Sequence, residues 1–105
     1  MDAVTTLTFD EVIASSSDRP VLVDLWADWC GPCHRLAPVL ESIEETHGDR
    51  LRIVKVDVDA EPDIARRFDA MSFPTLLLFA DGQLVRRLVG ARGRHHLLEE
   101  LGDWL

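Results

Sequence analysis

The succession strand, helix, strand across residues 21–58 constrains this chain more than any other feature. The run 21-VLVDLW-26 is almost continuously apolar and rich in β-branched residues, the mark of a strand covered on both faces. The run 51-LRIVKVDV-58 has the same character. Between them a helix is predicted from about Pro32 to His47. Leu36, Val39, Leu40 and Ile43 form its apolar stripe, Pro32 suits its first turn, and Gly48 can close its end. Pro38 lies inside it, where the missing N–H removes the bond to His34 and favours a kink. Two buried strands joined by such a crossover predict a right-handed parallel βαβ unit.

The flanking segments extend this unit. Val4 to Leu7 reads as a marginal strand. Thr8 and Glu11 match a capping box ahead of a short helix carrying Phe9, Val12 and Ile13. The stretch 15-SSSDRP-20 reads as a loop. A short helix from Glu61 to Asp69 opens with Pro62, and 75-TLLLF-79, the turn Asp81-Gly82 and 84-LVRRLV-89 form a hairpin signal. A last helix is predicted from about Gly93 to Leu105. The expected fold class is therefore α/β, a single domain over residues 1–105. Its central mixed sheet has four to five strands, parallel first and antiparallel last, flanked by about four helices.

Composition removes several classes of function. The net charge of −8 opposes nucleic acid and anionic membrane surfaces, because binders of either need a basic face. No apolar run approaches the roughly 20 residues that cross a bilayer. The N-terminus MDAVTTLTFDEV lacks a basic segment followed by an apolar one, so a cytoplasmic location is expected. Thiols in that compartment are kept reduced, so two neighbouring cysteines there point to catalysis or metal rather than to a structural bridge.

Those two cysteines, the only ones in the chain, stand in 28-DWCGPCHR-35. Cys30, Cys33 and His34 spell C-x-x-C-H, a haem-attachment signature, with Met71 available as a second ligand. The same C-x-x-C beside a βαβ pattern is a dithiol redox site. Haem demands a large apolar pocket, whereas the apolar stripes here are committed to sheet and helix packing. The dithiol reading fits the placement. Cys30 lies where a buried strand ends and a helix begins, over unpaired N–H groups and the positive end of the helix dipole. Both favour the thiolate, which is the nucleophile. Cys33, one turn further in, is expected to be more buried, so that Cys30 attacks and Cys33 resolves. A third reading, a four-thiolate zinc or iron–sulfur site, requires a second chain to supply half the ligands.

At this point the chain resembles the thioredoxin family. The resemblance rests on 26-WADWCGPC-33, Pro38, the acid in 23-VDLWA-27, Lys55 in 54-VKVDVD-59, 74-PTLLLF-79 and 89-VGA-91, and runs from about Thr8 to Leu105. It implies the thioredoxin fold and a protein disulfide reductase, a thiol–disulfide oxidoreductase and electron carrier that serves cell redox homeostasis. Cys30 and Cys33 would be the redox-active pair, working through a mixed disulfide with disulfide-containing client proteins. Electrons would come from an NADPH-dependent thioredoxin reductase, with no cofactor or metal, and the chain would act as a monomer. Asp24 would be the buried acid that takes the proton of Cys33, tuned by Lys55; a structural Asp24–Lys55 pair is the alternative. Pro74 matches a cis-proline facing the disulfide. Phe73 would offer its backbone to an extended client segment, with Gly90 and Ala91 on the other side of the groove and Trp29 at its rim. Gly31 and Pro32 space the sulfurs and resemble the reducing members of the superfamily.

His34 and Arg35 depart from the Lys and apolar residue that the family often carries, and Phe73 stands for a common Ile. Imidazole titrates near neutrality, so His34 is either a pH-dependent influence on the thiols or a tolerated surface substitution. His95 and His96 are adjacent and make a poor metal pair. Arg86, Arg87 and Arg92 read as surface charge. Two alternatives to the reductase stay open: a thioredoxin-fold binding module, and a specialised oxidase or isomerase.

Overall fold

Residues 21–26 occupy the middle of the molecule because both faces of the strand are apolar. The computed structural model describes all 105 residues. Its strands are Asp2–Ala3 (β1), Val21–Trp26 (β2), Arg52–Asp57 (β3), Thr75–Ala80 (β4) and Gln83–Val89 (β5). They join in the order β1-β3-β2-β4-β5. β3 runs parallel to β1 and β2, whereas β4 is antiparallel to β2 and β5. The helices are Phe9–Ala14 (α1), Gly31–His47 (α2), Pro62–Arg67 (α3) and Arg94–Leu101 (α4), with 3₁₀ turns at Ser15–Ser17 and Gly102–Trp104. This is the expected α/β mixed sheet with four helices.

The alternation of side chains along β2 divides the core in two. Val21, Val23 and Leu25 pack with Phe9, Val12 and Ile13 of α1 and Ile64 of α3. Leu22 faces the other way, among Leu36, Leu40 and Ile43 of α2 and Leu97 and Leu101 of α4. Asp24 and Trp26 share the parity of Leu22, so they point to the side on which α2 lies. That parity positions the acid beneath the helix that carries the cysteines.

Several local expectations are corrected. The first strand is Asp2–Ala3 rather than Val4–Leu7, and beyond it only the Val4 N–H reaches the Lys55 carbonyl, at 2.8 Å. Thr8 makes no side-chain cap. Its Oγ1 accepts instead from the Thr5 N–H at 3.1 Å, closing a turn before the helix starts. The serine loop is a 3₁₀ turn whose Ser16 is buried. Gly48 does end α2, but at φ −61°, not in the left-handed region. Glycine is required there because a Cβ would stand 2.6 Å from the Glu44 carbonyl oxygen. Helix α2 spans Gly31–His47 with Pro38 inside it, in line with the expected span. Helix α4 stops at Leu101, and the chain finishes in a 3₁₀ turn. Two arginines are more than surface charge: Arg87 donates to the Phe68 and Asp69 carbonyls at the end of α3, and Arg92 pairs with Glu100 at 2.9 Å.

Candidate active site

Strand β2 ends at Trp26, and four residues later Cys30 is the N-cap of α2. Its backbone is extended, at φ −93° and ψ 103°, while Gly31 and Pro32 already lie in the first turn. The proline loses nothing there, since the first N–H groups of a helix have no partner within the helix. Cys33 follows one turn in and is joined to Cys30 by a disulfide, with Cα atoms 5.3 Å apart. The Cys33 N–H donates to Cys30 Sγ at 3.2 Å. A capping side chain normally offers oxygen to this N–H; here it offers sulfur. The same donor and the helix dipole are placed to stabilise a Cys30 thiolate once the bond is reduced.

The expected difference in depth between the two cysteines is absent. Cys30 is 4% exposed and Cys33 3%. Cys30 is covered because its sulfur tucks against the Phe73 carbonyl oxygen, 3.5 Å away.

Phe73 and Pro74 form the opposite wall, across a cis peptide bond. Neither the N–H nor the carbonyl of Phe73 makes a backbone hydrogen bond, whereas the Pro74 carbonyl accepts from Gly90 at 2.8 Å. Gly90 turns at φ +94°, a conformation that suits glycine, and this brings Gly90 and Ala91 alongside. Trp29 is 67% exposed and stands edge-on to Phe73 with centroids 6.1 Å apart. Its Nε1 donates to Asp59 at 2.9 Å, which fixes the ring at the rim. The sequence did not flag Asp59, because the pairing depends on the loop after β3 folding back on the motif.

Beneath Cys33 lies a cavity of about 160 Å³ lined by Asp24, Trp26, Cys33, His34, Glu41 and Lys55, among others. Asp24 and Lys55 are direct neighbours in the parallel β2–β3 register. No ion pair closes between them. Lys55 Nζ sits instead 5.7 Å above the Trp26 ring. Asp24 Oδ1 and Trp26 Nε1 are buried with no hydrogen-bond partner among protein groups. Burial pushes the Asp24 carboxyl up from 3.8 to about 7, against the opposing pull of the Lys55 charge.

His34 reaches back with Nε2 to the Asp28 carbonyl at 2.6 Å and stands edge-on to Trp26. A carbonyl only accepts, so Nε2 carries the proton. His95 and His96 pair with Glu99 and Glu100 along α4. No three His, Cys, Asp or Glu side chains cluster closely enough to hold a metal. The haem alternative fails on packing, since the apolar stripes are committed to the two cores and Met71 is 90% exposed.

A dithiol at disulfide distance on a helix N-terminus, with an unpartnered backbone opposite and a buried acid below, defines a thiol–disulfide oxidoreductase. Comparison with known proteins narrows the class. A family model described as Thioredoxin matches residues 1–103. The chain is 53% identical to a thioredoxin of Mycolicibacterium smegmatis, over 98% of this chain and 93% of that protein. It is 56% identical to a thioredoxin of Mycobacterium bovis, over 84% of this chain and 76% of the relative. It also matches a bifunctional thioredoxin reductase/thioredoxin of Mycobacterium leprae at 52% identity, over 84% of this chain and 19% of that longer protein. The chain belongs to the thioredoxin family.

Proposed function

We propose that this chain is a protein disulfide reductase in which Cys30 attacks and Cys33 resolves. The observation that carries the assignment is the Cys33 N–H aimed at Cys30 Sγ, 3.2 Å away at the N-terminus of α2. It directs a hydrogen-bond donor at Cys30 Sγ, and none reaches Cys33 Sγ. Reduced Cys30 attacks a client disulfide, forming a bond between Cys30 and one client sulfur and releasing the other as a thiol. Cys33 then loses its proton and attacks Cys30, which releases the second client sulfur and closes the Cys30–Cys33 disulfide. Two electrons and two protons pass to the client.

Asp24 serves as the base for Cys33. With its carboxyl held at about 7, it is divided between its two forms at neutral pH, the condition for accepting and returning a proton. The cavity it shares with Cys33 gives room for a bridging water. Lys55, its neighbour on β3, keeps that value from rising further. Trp29, Gly31, Pro32, Phe73, Pro74, Gly90 and Ala91 line the groove. A client segment extended along Phe73 would meet its N–H and its carbonyl, neither of which makes a backbone hydrogen bond, a short strand addition.

The reaction draws its electrons from the dithiol and calls for no further group. Recharging falls to an NADPH-dependent thioredoxin reductase; the Mycobacterium leprae relative, named as bifunctional for both, supports that pairing. We place the chain in the cytoplasm, acting as a monomer and a single domain over residues 1–105.

The test is a trapping experiment with insulin as client. Cys33→Ser should accumulate a covalent one-to-one adduct on a non-reducing gel, while Cys30→Ser forms none. Equal trapping by both variants, or by Cys30→Ser alone, removes the assignment.

A further inference from the structure

Arg35 is the one basic side chain of this molecule that nothing holds. The chain has eleven lysines and arginines. All but Arg35 meet a carboxylate, a carbonyl or hydroxyl oxygen, or an aromatic ring. Arg35 makes none of these contacts and is exposed. Partners are not scarce, since the chain carries nineteen Asp and Glu. Its position is equally particular. A Cβ built on Gly31 would lie 3.5 Å from Arg35 Nη1, so the guanidinium rests against the residue next to Cys30. An unneutralised positive charge therefore sits on the redox motif itself, on the α2 side of the sulfurs.

We propose that Arg35 is a specificity-determining residue that favours client segments carrying an Asp or Glu beside the disulfide. The inference rests on the reductase reading above and names a substrate class for it. The apolar Trp29–Phe73 pair receives a client of any charge, whereas the guanidinium adds an attraction that only a carboxylate satisfies. A planar guanidinium with unused donors pairs well with a carboxylate and needs no induced movement to do so. The two acids that flank the motif pair elsewhere and not with it: Asp59 accepts from Trp29 Nε1, and Asp28 Oδ1 lies 3.9 Å from His34 Nε2. The field of the whole molecule works in the opposite direction, because a net charge of −8 draws basic clients. A preference for acidic ones is thus diagnostic of the local charge.

The test uses three peptides with one common intermolecular disulfide and Glu, Gln or Lys beside the cysteine. Second-order rates of oxidation of the reduced protein are followed by tryptophan fluorescence at low salt and again at high salt. Exposed ion pairs are worth up to about 1 kcal/mol, so the Glu peptide should react about threefold faster than the Gln peptide. The Lys peptide should be slower still, and high salt should flatten the series. Arg35→Gln should bring the Glu-to-Gln ratio to about one, and Arg35→Lys should keep part of the preference. The proposal is overturned if wild type prefers the Lys peptide, or if its preference survives in Arg35→Gln. A wild-type protein that reacts with none of the three overturns the reductase reading instead.

Discussion

Asp24 is a carboxyl whose charged form the fold disfavours. It is 3% exposed, its Oδ1 has no protein partner, and burial holds its pKa at about 7 against an ordinary 3.8. The unfolded chain therefore loses this proton near pH 4, while the folded chain keeps it until about pH 7. Between those values the folded state binds more protons, so its stability falls as pH rises; below the window both states are protonated, and above it both are charged. At about 1.4 kcal/mol for each unit, the full loss comes to roughly 4.5 kcal/mol above pH 7, an upper figure because the cavity has room for water. Asp24→Asn should match wild type near pH 4 and exceed it by about 2–4 kcal/mol at pH 8. Guanidinium unfolding of both oxidised proteins at several pH values checks this. A difference that does not vary with pH would remove the desolvation account. Reductase activity should fall in the same variant if Asp24 is the base proposed for Cys33.

Between elements, the hydrogen bond from the Gly82 N–H to Ser16 Oγ joins two turns that are 66 residues apart. Ser16 Oγ also donates to the Ile13 carbonyl at 2.6 Å, so one buried hydroxyl ties the end of α1 to the β4–β5 turn. Ser16→Ala should cost about 1–3 kcal/mol, read as a lower urea midpoint with an unchanged slope. A loss below a few tenths of a kcal/mol would mean that water replaces the hydroxyl freely. This contact also shows which parts of the fold were legible in the sequence. Elements declared by their own residues were read correctly: β2 by its β-branched run, α2 by Pro32 and its stripe, and the hairpin by Asp81-Gly82. Ser16 read as loop because three serines in a row carry no periodicity, and its partner is remote. Thr8 misled for the converse reason: the capping pattern is present, but a turn to Thr5 uses the same oxygen first. The active site followed the same rule. The dithiol and the Asp24–Lys55 pair could be placed by counting along strands. The cavity wall at Glu41 and the Asp59 tether on Trp29 arise only when separate elements meet.

For the molecule as a whole, both sulfurs belong to a core that extends through Phe9, Val23 and Leu77. The redox state of the pair is therefore coupled to global stability. In the oxidised protein the buried sulfurs carry no ionisable proton, and Cys33 shares a cavity with Asp24 at little cost. In the reduced protein the same space must hold two thiols, or a thiolate, against a carboxyl already disfavoured by burial. The cross-link spans a sequence separation of only 3. Even so short a loop removes about 2 kcal/mol of denatured-state entropy on the chain-entropy account. Both effects favour the oxidised fold, and by thermodynamic linkage a disulfide that stabilises its fold is hard to reduce, which makes its dithiol a good reductant. Each 1.4 kcal/mol corresponds to about 30 mV for this two-electron couple. The oxidised protein should unfold in guanidinium with a stability at least about 2 kcal/mol above that of the fully reduced protein, the slopes being equal. A more stable reduced form would describe a strong oxidant, and would move this chain to the oxidase or isomerase side of the superfamily despite its Gly31-Pro32.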